Sequence, residues 1–318
     1  MKLLITGAAG YIGAHATHYF DKLGFNVVAI DNLERGKRGV IASHIKFYDC
    51  DLRSSVITHI MREEKPDAVL HLAAYANVGE SFEFANEYTM NNVGGTLNLI
   101  DAMTVSGTNK LVFTSSCSVY GNASVRPNGH LDEAVPLCPI SPYAQTKVDC
   151  ERIIKETHDI KYCSLRLFNV AGADNAGVRV PRSESRIVSR AIAAAEGRGV
   201  LTIYGDDYQT PDGTAIRDYV HVKDVVRSFD KSLRYLSTGG VSTEFNIGSG
   251  VGSSIWDVIS SVECVTGGSV KFQIAERQQG DPAEVVAFCE KAKELAWEPV
   301  FSRLDDIVHD TWKAPVSI

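Results

Sequence analysis

The fold is decided by the stretch Lys2-Leu3-Leu4-Ile5-Thr6-Gly7-Ala8-Ala9-Gly10-Tyr11-Ile12-Gly13. It begins as a largely apolar, strand-like run, and three glycines with the spacing G-x-x-G-x-x-G then lead into an amphipathic helical stretch. Glycines at these points let the backbone turn tightly and approach a pyrophosphate, while the helix N-terminus offers N–H groups and a partial positive charge. The stretch therefore predicts a dinucleotide-binding turn between the first strand and the first helix.

Two carboxylates lie at the ends of the next two predicted strands. Asp31 ends the second strand, where a carboxylate accepts hydrogen bonds from a ribose diol and repels a 2′-phosphate, so NAD is favoured over NADP. Taken alone, Asp31-Asn32 is explained about as well by a strand-terminating turn. Asp51 is placed either to meet the adenine edge or to cap the helix predicted over 54–64, and the residues leave both interpretations open.

Short β-branched runs alternate with amphipathic helical stretches through the first half of the chain. The predicted strands are Lys2–Thr6, Asn26–Ile30, Lys46–Tyr48, Ala68–His71, Lys110–Ser115 and Lys161–Phe168. The predicted helices are Tyr11–Leu23, Ser54–Glu64, Asn86–Ser106 and Pro142–Thr157. This alternation predicts an α/β protein with a doubly wound parallel sheet that is covered on both faces.

After Asn169 the loops become longer, more polar and richer in glycine. The predicted elements of this part are a helix over Ile187–Glu196, strands near Phe245–Ile247 and Val270–Ala275, and a closing helix near Arg303–Trp312. They predict a smaller C-terminal mixed α/β domain. We expect a division into 1–170 and 171–318, with 216–238 returning to the first domain. No repeat or low-complexity linker separates the two, so we expect the second domain to be docked rather than tethered.

Composition narrows the class of protein. The chain has 318 residues, of which 44% are hydrophobic and 22% charged, as in ordinary globular proteins. Its net charge of -7, without a basic run, offers no electrostatic footprint for nucleic acid or an anionic membrane. No apolar run approaches the ~20 residues that span a bilayer, and the N-terminal run is too short for a signal peptide. Seven scattered cysteines predict free thiols, no metal site and a cytoplasmic location.

A second motif, Ser141-Pro142-Tyr143-Ala144-Gln145-Thr146-Lys147, begins a helix. Ser141 and Pro142 are ordinary helix-starting residues, but capping does not explain Tyr143 and Lys147, which share one helical face at i and i+4. A phenol with a pKa of ~10 is rarely ionised at neutral pH. A neighbouring ammonium and a nicotinamide cation favour the phenolate, so this pair predicts a general base.

Hydroxyl-bearing residues end the fifth strand in the segment Thr114-Ser115-Ser116-Cys117-Ser118-Val119-Tyr120-Gly121. Strand ends in doubly wound sheets face the ligand crevice, where such hydroxyls can bind a reacting sugar oxygen. Without Tyr143 and Lys147, a serine-rich loop is the better interpretation.

Together these motifs resemble the extended short-chain dehydrogenases/reductases, and most closely the UDP-glucose (UDP-galactose) 4-epimerases, from Lys2 to about Trp312. The further matching motifs are Val78-Gly79-Glu80-Ser81, Asn91-Asn92-Val93, Leu165-Arg166-Leu167-Phe168-Asn169, and Tyr204-Gly205-Asp206-Asp207-Tyr208 through Asp212-Gly213-Thr214-Ala215-Ile216-Arg217-Asp218-Tyr219. The resemblance implies a Rossmann domain for NAD, a smaller nucleotide-sugar domain, a UDP-sugar substrate and a homodimer. It does not separate glucose and galactose from their N-acetyl forms, and UDP-xylose/UDP-arabinose 4-epimerases share several of the same traits.

The resemblance also implies roles for individual residues. Tyr143 takes the proton from the sugar 4-hydroxyl, Ser116 bonds the 4-oxygen, and Lys147 holds the nicotinamide ribose and lowers the Tyr143 pKa. The implied cofactor-binding residues are Gly7, Gly10, Tyr11, Ile12, Gly13, Asp31, Asn32, Asp51, Leu52, Leu72, Ala73, Ala74, Asn92, Ser115, Tyr143, Lys147 and Phe168. The implied substrate-binding residues are Ser116, Cys117, Tyr143, Asn169, Arg186, Ile203, Tyr204, Arg217, Arg277, Gln278, Asp281 and Val285.

The chain departs from the family pattern at a few positions. Ala76 replaces a lysine that some members carry, and Gln278 replaces the second of two arginines, for which Arg186 or Arg277 is the candidate substitute. A nucleotide-sugar 4,6-dehydratase is excluded, because its Asp-Glu pair is here Cys117-Ser118. A catalytically silent NAD-binding regulator remains the alternative outside the enzymes.

Overall fold

The computed structural model describes residues 1–121, 130–174, 186–278 and 281–315. Two segments considered in the sequence analysis lie partly outside the described residues: most of the polar loop after Ala171, and residues 279–280 after Gln278.

Fourteen strands are formed by the described residues: β1 Lys2–Thr6, β2 Asn26–Asp31, β3 Lys46–Asp49, β4 Ala68–His71, β5 Lys110–Ser116, β6 His130–Leu131, β7 Lys161–Leu167, β8 Asn169–Ala171, β9 Leu201–Tyr204, β10 Ile216–His221, β11 Thr243–Ile247, β12 Gly252–Ser253, β13 Phe272–Ala275 and β14 Glu284–Ala287. The α-helices of the same residues are α1 Tyr11–Lys22, α2 Val56–Glu64, α3 Val78–Glu83, α4 Ala85–Tyr88, α5 Gly95–Ser106, α6 Pro142–Glu156, α7 Ile187–Ala195, α8 Val222–Ser237, α9 Ile255–Thr266 and α10 Leu304–Lys313. Shorter 3-10 helices cover Arg38–Val40, Cys117–Tyr120 and Glu290–Leu295, and a π-helix covers Thr89–Gly94.

The largest sheet has seven strands in the order β11-β7-β5-β4-β1-β2-β3. β1 pairs in parallel with both β2 and β4, β2 with β3, and β4 with β5. The chain therefore grows outward from β1 first on one side and then on the other, which places a topological switch point between β1 and β4. This order confirms the predicted doubly wound sheet.

The described chain divides into two compact units. Unit 1 contains 1–121, 137–166 and 226–245, and unit 2 contains the described residues of 122–136, 167–225 and 246–318. The return to unit 1 thus begins at Val226 rather than at residue 216, and a piece before Leu137 joins unit 2, which no local pattern indicated.

Each unit has its own apolar core. In unit 1, β1, β2, β4 and β5 pack against α2, α5 and α6 through side chains such as Leu4, Ile57, Leu99 and Ile154. In unit 2, α7, α9 and α10 pack together around the strand β9. Unit 2 also contains the sheet β12-β10-β14-β6, with β8 paired to β10, and the parallel pair of β9 and β13.

Three sequence predictions about elements were wrong in detail. The helix predicted over Asn86–Ser106 is interrupted by the π-helix. The strand predicted over Lys161–Phe168 ends at Leu167, and Asn169 starts a new strand in a different sheet. The strand near Phe245, predicted as part of the second domain, is the edge strand β11 of the seven-stranded sheet. In the last two cases, strand partners that are distant in sequence decide which sheet a segment joins. Hydrophobic periodicity does not indicate such partners.

None of the helices in the described part of the chain is long and apolar enough to cross a membrane. All seven cysteines are free thiols. Within the described residues, no group of three or more His, Cys, Asp or Glu side chains is arranged to hold a metal ion.

Candidate functional site

The glycine turn between β1 and α1 is packed too tightly for side chains. Gly7 has a φ of +66°, and a Cβ there would lie 2.6 Å from the backbone nitrogen of Ala73. At Gly13, a Cβ would lie 2.0 Å from the Gly7 carbonyl oxygen. Helix α1 begins after Gly10 without a side-chain cap. The turn therefore offers a helix N-terminus beside a bare backbone surface, which is the arrangement that suits a diphosphate.

Asp31, at the end of β2, is held against this turn. Its two carboxylate oxygens accept hydrogen bonds from the Ala9 nitrogen at 2.9 Å and the Leu33 nitrogen at 2.8 Å. Burial raises the pKa of this carboxyl, and the two backbone hydrogen bonds act in the opposite direction. The carboxylate thus occupies a fixed position beside the glycine turn, where the sequence predicts a ribose diol.

Asp51 caps no helix, so one of its two sequence interpretations was wrong. Helix α2 begins at Val56, and its N-cap residue is Ser55. Asp51 instead accepts hydrogen bonds from the Arg53 side chain and from Asn32 Nδ2 at 3.2 Å. The hydrogen bonds from Arg53 are the main reason that the pKa of Asp51 lies at about 2. The adjacent Leu52 is buried, and its carbonyl accepts from Asn98.

The segment after β4 is tied to helix α6 by Asn92, which lies in the π-helix. The Asn92 Oδ1 accepts from the Tyr75 nitrogen at 2.8 Å, and its Nδ2 donates to the Tyr75 carbonyl and to Thr146 Oγ1, each at 3.0 Å. Asn92 therefore holds the segment that contains Leu72, Ala73 and Ala74, and its contact with the cofactor stays a prediction.

Helix α6 places Tyr143 and Lys147 one turn apart, and its start confirms the predicted cap. Ser141 Oγ accepts from the Ala144 nitrogen at 3.2 Å, and Pro142 occupies the first turn. Tyr143 is 8% exposed and packs with Tyr75 and Tyr88. Lys147 Nζ donates to the Thr114 carbonyl at 2.7 Å and lies 4.8 Å from the centre of the Phe113 ring.

In the chain without cofactor, burial dominates the electrostatics of this pair. Burial raises the pKa of Tyr143 to about 12, against a smaller lowering by the hydrogen bond with Ser116. Burial also lowers the pKa of Lys147 to about 8. In the chain by itself the phenol is thus a weaker acid than usual. Burial of the phenol disfavours the phenolate anion, and the Lys147 ammonium donates its hydrogen bond to the Thr114 carbonyl oxygen.

Ser116 lies at the end of β5 beside Tyr143. Its Oγ accepts from the Ser118 nitrogen at 3.2 Å and from the Ser118 hydroxyl at 2.9 Å, which starts the short helix Cys117–Tyr120. The neighbouring Ser115 Oγ is buried and has no hydrogen-bond partner among the described residues. Cys117 is half-buried next to it. Among the described residues, the strand end therefore presents one oriented hydroxyl and one buried hydroxyl without a hydrogen-bond partner.

The predicted substrate residues of unit 2 lie mainly on two pairs of strands. Arg217 on β10 is in register with Val285 on β14, and its Nη2 is 2.5 Å from Asp281 Oδ1. Asn169 on β8 is in register with Tyr219 on β10, and the adjacent Phe168 is buried. Ile203 and Tyr204 end β9, which pairs with β13, the strand that precedes Arg277 and the exposed Gln278.

Arg277 and Arg186, the two candidates to replace the missing arginine, both contact other groups of the protein. Arg277 Nε contacts Asp207 Oδ1 at 2.6 Å, and its guanidinium lies over the Tyr208 ring at 4.3 Å. Arg186 precedes α7, and its Nη1 donates to the Val170 carbonyl at 2.8 Å.

A buried ion pair between helix α6 and strand β7 was not predicted from the sequence. Arg166 donates to both carboxylate oxygens of Glu151, at 3.1 and 2.8 Å, and to the Tyr120 hydroxyl at 3.0 Å. Glu151 extends the four-residue spacing of Tyr143 and Lys147 by one turn, and this spacing was the signal that could have indicated it.

The chain matches the NAD dependent epimerase/dehydratase family over residues 3–248. It is 38% identical to the UDP-glucose 4-epimerase of Lactobacillus helveticus over 321 residues, which cover 98% of this chain and 96% of that enzyme. The crystal structure of UDP-glucose 4-epimerase from Brucella ovis in complex with NAD has a TM-score of 0.92, with 36% identity over 97% of this chain and 96% of that one. The UDP-Glc/GlcNAc 4-epimerase from Campylobacter jejuni has a TM-score of 0.84, with 35% identity over 98% of each chain.

Proposed function

The chain belongs to the NAD dependent epimerase/dehydratase family, and on that premise we propose that it interconverts UDP-glucose and UDP-galactose by NAD-dependent epimerisation at the sugar C4. One observation carries the proposal: Tyr143 and Lys147 lie one turn apart on one face of α6, and the side chain of Ser116 acts to lower the pKa of Tyr143. Its similarity to the UDP-glucose 4-epimerase of Lactobacillus helveticus covers 98% of this chain and 96% of that enzyme, and such epimerases are isomerases.

The residues of unit 1 fit NAD. Gly7 and Gly13 allow the close backbone packing that forms the turn at the N-terminus of α1, which suits a diphosphate, and Asp31 is hydrogen-bonded to this turn, where it suits a ribose. The partnerless Ser115 hydroxyl, within the described residues, fits a further polar contact. We assign the cofactor to these residues, to Asn32, Asp51 and Leu52 on the adenine side, and to Lys147 on the nicotinamide side. When bound, NAD accepts a hydride from C4 and later returns it.

The chain itself supplies proton transfer and orientation. Tyr143 Oη takes the proton of the sugar 4-hydroxyl and returns it after the 4-keto sugar has turned in the site. Ser116 orients the 4-oxygen. The buried Lys147 contributes positive charge, which must lower the Tyr143 pKa jointly with the cationic cofactor, because the chain alone leaves that pKa at about 12.

Unit 2 supplies the residues that we assign to UDP. Arg217 is the principal diphosphate ligand, since a guanidinium forms two parallel hydrogen bonds to a phosphate. We assign Asn169, Arg186 and Tyr204 to the same nucleotide, and Val285 to the sugar. A cytoplasmic homodimer is part of the proposal. The named UDP-Glc/GlcNAc 4-epimerase among the similar structures supports the extension to N-acetyl sugars.

Turnover without added cofactor tests the proposal. The purified protein is incubated with UDP-galactose alone, and the formation of UDP-glucose is followed by NMR, with UDP-GlcNAc and UDP-xylose as parallel substrates. We expect interconversion that Tyr143→Phe abolishes. A protein that retains NAD but converts none of these sugars would refute the proposed activity and favour the NAD-binding regulator. Conversion of UDP-xylose alone would instead favour a UDP-xylose/UDP-arabinose 4-epimerase.

A further inference from the structure

Arg35 connects two loops that are far apart in sequence. Its Nη1 and Nη2 donate to the two carboxylate oxygens of Glu80, at 2.7 and 2.8 Å. The same guanidinium lies 4.0 Å from the centre of the Tyr75 ring. Arg35 belongs to the loop after β2, whereas Tyr75 and Glu80 belong to the segment after β4 and to α3. We call this contact the Arg35–Glu80 bridge.

Other side chains hold both ends of the bridge in place. The Tyr75 hydroxyl donates to Glu34 at 2.6 Å, so the ring under Arg35 is anchored to the residue that precedes it. The Tyr88 hydroxyl donates to Glu80 at 2.7 Å. Asn77 accepts from the Glu80 nitrogen at 3.1 Å and so orients the helix that carries the carboxylate. The bridge is thus a network with bidentate geometry rather than one isolated surface ion pair.

The topology places this bridge over the glycine turn. β1 lies between β2 and β4 and is parallel to both, so the loops after all three strands emerge at the same edge of the sheet. Any link from the loop after β2 to the segment after β4 must cross the end of β1, where Gly7 and its turn begin. With neighbouring strands ~4.8 Å apart, the link spans about two strand spacings.

Both joined loops also touch the turn itself. On the β2 side, the Lys37 nitrogen donates to the Ala9 carbonyl at 3.2 Å, and the Ala9 nitrogen donates to Asp31. On the β4 side, Gly7 lies so close to Ala73 that a Cβ has no room. The turn is therefore flanked by two loops, each of which contacts it directly. Arg35 joins these two loops to each other.

We propose that the Arg35–Glu80 bridge, seated on the Tyr75 ring, closes over the dinucleotide bound at the glycine turn and sets the rate at which that dinucleotide leaves. This inference rests on the proposed function, in which the cofactor is regenerated in every cycle and never needs to leave. A bidentate ion pair stacked on an aromatic ring resists opening more than either contact does alone. Because the pair is partly exposed, salt weakens it.

The test measures the release of NAD and not turnover. Protein loaded with NAD is diluted into excess isotopically labelled NAD, and the loss of the unlabelled cofactor is followed over time. We expect Arg35→Ala and Glu80→Gln each to release NAD about tenfold faster than the wild type. Added salt should accelerate release from the wild type but have little effect on Arg35→Ala. The pair Arg35→Glu with Glu80→Arg should release NAD more slowly than either reversal alone.

Arg38→Ala is the matched control. Arg38 lies three residues further on, 4.6 Å from the centre of the Phe47 ring, and bonds the Ile41 carbonyl without reaching the β4 side. We expect its release rate to equal that of the wild type. Unchanged release from Arg35→Ala, or an equal effect of Arg38→Ala, would overturn the bridge while leaving the proposed function intact. A wild-type protein that neither carries nor takes up NAD would overturn both.

Discussion

The hydroxyl of Tyr143 is the group that we propose as the proton acceptor, and its ring packs against Tyr75 and Tyr88. Tyr143→Phe removes the proton acceptor and leaves that packing in place. We expect kcat to fall by about 10²- to 10⁴-fold, which is the contribution of a positioned general base. NAD content and the melting temperature, measured on the same preparation, should match the wild type. Retention of most of the activity would refute the assignment of Tyr143 as the base.

Val285 is the residue that we propose selects the size of the sugar. It is buried on β14 in register with Arg217, and under this proposal a larger side chain there displaces the group that the sugar carries at C2. We expect Val285→Tyr to lower kcat/KM for UDP-GlcNAc at least about tenfold more than for UDP-glucose. Val285→Leu, with a small volume change, is the folding control. Equal losses on both sugars would argue against a role of Val285 in selectivity.

The arginine side chains that we consider for the UDP diphosphate also act as single residues. Loss of a charged hydrogen bond to a buried phosphate costs about 1.5–3 kcal/mol, which raises KM roughly 10- to 150-fold. We predict this for Arg217→Ala and Arg186→Ala, and only a small change for Arg277→Ala, because the Arg277 side chain is 43% exposed whereas that of Arg217 is 12% exposed. Steady-state kinetics separate the three variants. A damaging Arg277→Ala with a silent Arg186→Ala would identify Arg277 as the second phosphate ligand.

At the scale of elements, helix α6 is fixed by the Glu151–Arg166 pair, whose two side chains are 6% and 5% exposed. Removing one partner leaves the other charge buried, so Glu151→Gln should lower the free energy of unfolding by about 3–5 kcal/mol in urea titrations. The double variant Glu151→Leu with Arg166→Met should recover most of that loss. The exposed pair of Asp149 and Arg152 on the same helix is the control, and Asp149→Asn should cost less than about 1 kcal/mol.

Elements whose signals are local could be predicted from the sequence, and those made by distant partners could not. The turn at Gly7–Gly13 and the start of α6 depend on residues a few positions apart, and both were predicted correctly. Helix α9 was missed although Ser254 and Asp257 form a capping box with a readable spacing. The Arg35–Glu80 bridge joins residues from loops that only the strand order brings together, so no sequence window contains it.

At the scale of the whole molecule, we expect a buried histidine near Lys147 of helix α6 to contribute to the pH dependence of stability. His71 is 2% exposed, with its ring nitrogens 2.7 Å from Thr6 Oγ1 and 3.0 Å from Thr96 Oγ1. Burial, with the nearby Lys147, lowers its pKa to about 3. The folded state therefore keeps His71 neutral, whereas the unfolded chain takes up a proton below a pH of about 6.5. The stability that this difference provides is complete above that pH and is lost progressively as the pH falls towards 3.

We expect this residue to account for about 2 kcal/mol of unfolding free energy between pH 7 and pH 5. His71→Gln keeps polar atoms between the two threonines but cannot be protonated in this range. The variant should be less stable than the wild type at pH 7, and the difference should shrink by about that amount at pH 5. Urea unfolding at a fixed, saturating NAD concentration measures both values. His158→Gln, at an exposed histidine, is the control substitution. An equal pH dependence in the wild type and His71→Gln would mean that the proton uptake on unfolding occurs at other groups.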